Sequence, residues 1–226
     1  GSVLSGGSGT LSFTTPSIST TTNYYAQARN TTTACVSSSR TLVTASINSA
    51  LSAGAISGDQ TVCSGSTPST LTSSTNASGG TGARTYQWQE STDNSNFTDI
   101  SSANAATYSP GALTQTTYYR RGVSTGIDPV IYTSSITVTV NALPTVASTT
   151  DGARSGTGTV SLSGTASSGA TLDWYAGSSG GSVLSGGTGT LSFTTPSISA
   201  TTIYYAEARN TTSECISAAR TPVTAT

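Results

Sequence analysis

The groups in this chain able to do chemistry are nine carboxylates, eight arginines, three cysteines and a very large stock of hydroxyls. There is no histidine and no lysine. A serine or threonine becomes a nucleophile only beside a base, and the two usual bases are missing. Zinc sites built on histidine are excluded, and Cys35, Cys63 and Cys215 lack the close cysteine spacing that zinc prefers. The stretch Asp93-Asn94-Ser95-Asn96, with Asp99, gathers oxygen ligands as a calcium loop would. Its spacing departs from the D-x-[DN]-x-[DN]-G pattern and no glutamate closes it, and a hairpin turn accounts for Asp and Asn there equally well. The remaining acids are scattered, whereas a glycosidase needs two converging on one cleft. The expectation is a chain that is not an enzyme and holds no metal or cofactor.

Tyr25 and Tyr205 alternate with Gln27 or Glu207 and with Arg29 or Arg209. Such a face could stack on glycans; the alternative is a sheet surface stabilised by cross-strand aromatic and charged pairs. Sequons at Asn30, Asn76, Asn96 and Asn210 match N-x-[ST], a pattern that so hydroxyl-rich a chain also produces by chance.

These groups must be positioned by extended backbone. Serine and threonine make up roughly two-fifths of the residues, far above ordinary usage, while only 8% are charged. Alternation in ITVTV (136–140), YYAQA (24–28), TVSLS (159–163) and TYQWQ (85–89) is that of half-buried strands, and threonine suits a solvated pleated face. A net charge of −1 gives no electrostatic case for nucleic acid. No apolar run approaches the roughly 20 residues that span a bilayer as a helix. No charged-then-apolar leader precedes Gly1, so any secretion signal is expected outside these residues.

The chain repeats itself. Gly1–Ser46 returns as Gly181–Thr226, without a gap and with eleven differences in forty-six positions, at an offset of 180 residues. Further landmarks recur across less similar stretches. Trp88 lies thirty residues before Tyr118, and Trp174 thirty before Tyr204. Pro16, Pro110 and Pro196 each precede a tyrosine by eight. The reading is an all-β chain of tandem immunoglobulin-like sandwiches: the later part of a truncated module at 1–46, a complete module at 47–141, and a complete module at 142–226 homologous to the first. Strands in the middle module are expected near 56–63, 69–75, 85–90, 97–100, 105–109, 116–124 and 133–140. Trp88, Trp174, Tyr118 and Tyr204 are the expected core aromatics, the tyrosines at the place of a tyrosine corner. Residues 1–46 alone supply only later strands and are expected to expose an apolar face.

The segments GTVSLSG, ATLDWYAG and FTTPSISATTIYYAEARN, together with TVCSGSTP, TYQWQESTDNSNFTDI and ATYSPGALTQTTYYRR, resemble the immunoglobulin-like repeats of giant cell-surface adhesins from gliding, type IX-secreting bacteria. That resemblance covers nearly the whole chain and implies an extracellular array. It also implies a second cysteine in each module, which is absent at Ser155 and near Asp128. On that frame Cys63 and Cys215 lie on facing poles of adjacent modules and are expected to pair, leaving Cys35 to a partner upstream; the alternative is three free thiols. The function implied is a repeat segment of a surface fibre, serving as stalk and adhesive surface, whose partners are neighbouring modules or copies of the fibre. The alternatives are a glycan-binding or spacer module of a secreted polysaccharide-degrading enzyme, and an interaction platform.

Overall fold

The computed structural model describes residues 2–226, which form sixteen β-strands and no α-helix. Residues 2–46 hold one hairpin, β1 (Thr22–Ala26) against β2 (Thr41–Ala45). The next stretch holds β3 (Ala55–Ser57), β4 (Gln60–Cys63), β5 (Thr72–Thr75), β6 (Thr85–Ser91), β7 (Thr98–Asp99), β8 (Thr117–Ser124), β9 (Ile131–Tyr132) and β10 (Ile136–Asn141). The last holds β11 (Val146–Thr150), β12 (Ser161–Ala166), β13 (Ala170–Tyr175), β14 (Ser192–Thr194), β15 (Thr202–Asn210) and β16 (Thr221–Ala225).

Both longer stretches build the same two layers. In the middle one, β3 and β5 form a ribbon facing a sheet ordered β4-β10-β8-β6-β7, with β9 added beside β8. In the last one, β11-β12-β14 faces β13-β15-β16. The first strand run serves both layers: β3 pairs with β5, then β4 turns away to run parallel with β10. The same crossing occurs at Gly152, which bridges Ala225 in parallel. Two antiparallel layers of this kind over one apolar interior are immunoglobulin-like sandwiches, here in tandem.

The uninterrupted strand expected over 56–63 is broken at Gly58. Its φ of 137° lies where side chains are disfavoured, and a Cβ there would come within 2.8 Å of the Leu71 side chain. The expected strand at 105–109 shrinks to a single bridge between Leu71 and Tyr108. The run expected at 133–140 starts only at Ile136, and the short β9 precedes it; at Thr133 the backbone N still donates to Arg121 O, but Arg121 N turns to the Thr133 side chain, Oγ1, and the ladder ends.

A row of three aromatic rings crosses each sandwich. Trp174, Phe193 and Tyr204 lie with successive centroids 5.6 and 5.7 Å apart; Trp88, Tyr108 and Tyr119 lie 5.9 and 5.8 Å apart. Both indole N–H groups are satisfied, Trp88 donating to Ala105 O and Trp174 to Thr190 O, so these rings are buried without stranding a donor. The row corrects one expectation from spacing. Tyr118 is only half-buried, and Tyr119 is the buried counterpart of Tyr204. The cause is register: Trp174 faces Ala206 across its strand pair, whereas Trp88 faces Arg121, so the middle module has one more residue between tryptophan and partner. Among the described residues neither the Tyr119 nor the Tyr204 hydroxyl bonds the backbone, so both act by packing in the aromatic row rather than as a tyrosine corner.

Arg121 occupies the inward position two residues after Tyr119, where antibody domains place the second inter-sheet cysteine. It is fully buried. Nη1 donates to Ser73 Oγ at 2.6 Å and Ala106 O at 2.7 Å, and Nη2 reaches Ala53 O. The guanidinium also lies over the Tyr86 ring at 4.6 Å. Burial pulls its proton affinity down, with Tyr86 opposing, yet an arginine this bonded stays charged. It fastens the two layers by hydrogen bonds where a disulfide would otherwise do so.

Residues 2–46 keep part of this frame. Phe13 and Tyr24 lie 6.0 Å apart, as Phe193 and Tyr204 do. Among the described residues the outer edge of β1 has no partner strand, whereas β15 is covered by β13, and Val43 is 52% exposed where its copy Val223 is 0%.

Truncating Tyr119 to alanine is expected to cost about 3–5 kcal/mol of unfolding free energy, and Tyr118→Ala under about 1.5 kcal/mol. Urea denaturation of the two variants checks the register, and equal losses would contradict it.

Candidate functional site

The residues that link one sandwich to the next form the candidate site. Cys63 ends β4, and its register partner on β10 is Asn141, the last strand residue before the short Ala142–Pro144 connection. Ser64 N donates to Asn141 O at 2.8 Å, and Ser66 N closes a turn onto Cys63 O at 2.9 Å. The parallel ladder therefore holds Cys63 at the pole from which the chain leaves for the following module.

Cys215 comes from the opposite side, in the turn between β15 and β16. The Asn210 side-chain oxygen accepts from the backbone N of Thr212 and of Ser213, both at 2.9 Å. Asn210 N donates to Cys215 O at 2.8 Å, and Glu214 takes a left-handed conformation, φ 57°, to complete the loop. Arg209 braces the turn from below, donating to Glu214 at 2.9 Å and to Asp173 at 2.7 Å. Those carboxylates hold the guanidinium's proton affinity above its ordinary value.

The structure joins the two sulfurs. Cys63 and Cys215 form a disulfide with Cα atoms 5.6 Å apart, within the range that a bridge spans without moving backbone. Cys215 is 1% exposed. Among the described residues, no hydrogen bond or ion pair crosses between residues 52–141 and 145–226. The bridge and the backbone connection are thus the specific ties at this joint. At the preceding joint the ties run through the connecting segment instead, with Ile47 N donating to Thr21 Oγ1, Asn48 Nδ2 to Thr81 Oγ1 and Gly80 N to Ser49 O.

Cys35 is exposed and unbridged. Its turn nevertheless copies that of Cys215: Asn30 Oδ1 accepts from Thr32 N and Thr33 N, Asn30 N donates to Cys35 O, and Ala34 has φ 58°. The turn is therefore built by local bonds and does not require the sulfur bridge.

The other candidates are occupied by structure. Asp93 accepts from the backbone N of Asn96, the Asn96 side chain, Ser91 Oγ and Ser95 N, which hold its carboxyl well below the usual range. Oδ1 takes three of these bonds and Oδ2 one, so the carboxylate is the centre of the turn. No cluster of three or more metal-ligating side chains exists among the described residues. In the last module, Glu207 is buried against Arg220 and accepts from the Tyr175 hydroxyl, while Arg220 stacks over the Tyr175 ring at 3.3 Å. That surface is closed by its own pairs rather than open to a sugar. Its copy in residues 2–46 leaves Tyr25 and Arg29 exposed. The asparagines of the sequons at Asn30 and Asn210 cap turns, and Asn96 bonds Asp93.

The model of a family described as "Ig-like domain CHU_C associated" matches residues 1–48 and 142–226, together more than half of the chain. A second family, described as a domain of unknown function (DUF8696), matches residues 52–142. No curated protein matches. Similar solved structures include three immunoglobulin domains of titin, I67–I69, at 15% identity and a TM-score of 0.40, covering 74% of this chain and 62% of that one. The fibronectin(III)-like modules of Clostridium thermocellum CbhA are similar at 11% identity and a TM-score of 0.34, covering 79% and 93%.

Two outcomes are expected from this joint. Without reductant only one thiol per chain alkylates, and after reduction three do; peptide mass mapping that finds three free thiols from the start would contradict the bridge. Cys215→Ser is expected to cost about 2–5 kcal/mol in equilibrium unfolding, given the long loop the bridge closes. Separately, millimolar calcium is expected to leave the melting temperature unchanged, because Asp93 is engaged by its own turn and no cluster of three metal-ligating side chains stands beside it among the described residues; a calcium-dependent rise would contradict that.

Proposed function

Because the chain belongs to the family of Ig-like domains described as CHU_C associated, we propose that it is a repeat segment of an extracellular surface fibre, acting as a stalk and adhesive surface. The observation that carries this reading is the bridged joint between two unlike sandwiches. A disulfide persists where the surroundings are oxidising, as outside the cell. A covalent tie at a pole fixes how one module follows the next, which matters to a rod and not to a catalyst. The return of Gly1–Ser46 as Gly181–Thr226 makes length accrue by copying pairs of modules. Neighbouring modules and other copies of the fibre are its partners. Its setting is the surface of gliding, type IX-secreting bacteria, as the resemblance of its segments to their adhesin repeats implies.

The surface suits that role. It is low in charge and dense in hydroxyls, so it stays hydrated without strong fields that attract unrelated partners. A glycan-binding module would need an open aromatic platform; in the last module the equivalent face is closed by Glu207, Arg220 and Tyr175.

Small-angle scattering on the whole chain tests the stalk. Modules in line give a radius of gyration well above the roughly 17 Å of a compact chain of this length, and each added pair lengthens the particle by about 60–80 Å. A radius near the compact value would overturn the reading.

A further inference from the structure

We infer that the Cys63–Cys215 disulfide is a tension bypass, routing pulling force around the interiors of both sandwiches. The inference rests on the reading of the chain as a stalk held at its ends, and it assigns the bridge a mechanical function beyond fixing the joint.

The argument follows the covalent path. Cys63 terminates β4, within the first strand run of the middle module. Cys215 lies just before β16, the final strand of the last module. The bridge therefore connects the way into one module with the way out of the next, and 152 residues of sequence separation lie between its ends. Tension entering through the segment near Asn48 runs along β3 and β4 to Cys63. It crosses the sulfurs to Cys215 and leaves along β16 toward Thr226. Strands β5 to β15 lie inside the closed loop. Both tryptophans and the aromatic rows are in that loop, so no pull on the ends can draw them out while the bridge is intact.

The sheet order fits this routing. β3 and β4 are each the outermost strand of their sheet, while β16 lies between β15 and the parallel bridge that Gly152 makes to Ala225. The path therefore enters along sheet edges, and it leaves along a final strand held on both sides, by β15 and by Gly152. β4 is further held by parallel pairing with β10, from Gln60 opposite Val138 to Cys63 opposite Asn141. A pull on the two ends would, without the bridge, load those hydrogen bonds together, because it draws the start of β4 and the end of β10 apart. Without the bridge, the same pull would pass through β10, the Ala142–Pro144 connection and then every strand of the last module.

The consequence is a limit on extension. With the bridge closed, only the residues outside the loop lengthen under force, whatever happens to the non-covalent structure. With it open, the loop adds on the order of 500 Å of extensible chain at about 3.3–3.6 Å per residue.

Single-molecule pulling of the whole chain through handles at its two ends tests this. The oxidised protein is expected to reach its final length with no module-sized release. The same protein under reductant is expected to show releases that together lengthen it by on the order of 500 Å. Cys63→Ser should behave like the reduced protein without reductant; its circular dichroism and a thiol count are taken on the same sample, with Cys215→Ser as the second variant should Cys63→Ser not fold. Module-sized releases in a protein whose thiol count shows the bridge intact would overturn the bypass, as would a thiol count showing the bridge unformed. A compact scattering radius would instead strike the stalk reading while leaving the pulling result standing.

Discussion

One sulfur–sulfur bond determines how the two complete sandwiches relate. No hydrogen bond or ion pair among the described residues supplements it across the joint, so the relative placement of the modules depends on Cys63, Cys215 and the short connection through Pro144. Each cysteine is held by hydrogen bonds within its own module. The parallel β4–β10 ladder fixes Cys63, and the Asn210 turn fixes Cys215. The bond therefore joins two sites already in place, which limits the backbone movement that would otherwise weaken it.

Within each module a second constraint operates. The chain is only 34% hydrophobic, so its apolar groups must be concentrated to exclude water. Both sandwiches do this with a tryptophan, a middle ring and a tyrosine in one row. The modules differ in what surrounds that row. The last one closes its outer sheet with ion pairs at Arg209 and Arg220, while the middle one places Arg121 inside, bonded to Ser73, Ala106 and Ala53. The cost of burying that cation is offset in part, because hydrogen bonds at both terminal nitrogens and the Tyr86 ring replace water, while Nε is left without a partner among the described residues.

Much of this was legible in the residues. Alternation and turn chemistry gave the all-β reading, and recurrent spacing located Trp88, Trp174 and Tyr204. The cysteine pairing followed from which poles face each other in a head-to-tail array, once the resemblance supplied the frame. Tyr118 was misplaced because spacing cannot see a one-residue difference in loop length, although it turns a strand's faces over. Gly58 was readable as a break only by weighing its close approach to Leu71, a tertiary contact. Phe193 and Tyr108 carried no periodic signal, since they lie on a short strand and a single bridge. Arg121 was hidden because charge is normally solvated; its alternation with Tyr119 and Val123 was the available sign.

The account is tested most directly by the orientation of the two modules in solution. Residual dipolar couplings measured on the oxidised protein should fit one alignment tensor for residues 52–226, and separate into two tensors when the bridge is reduced. Two different tensors while the disulfide is intact would show that the bond does not fix the joint, and would contradict the account.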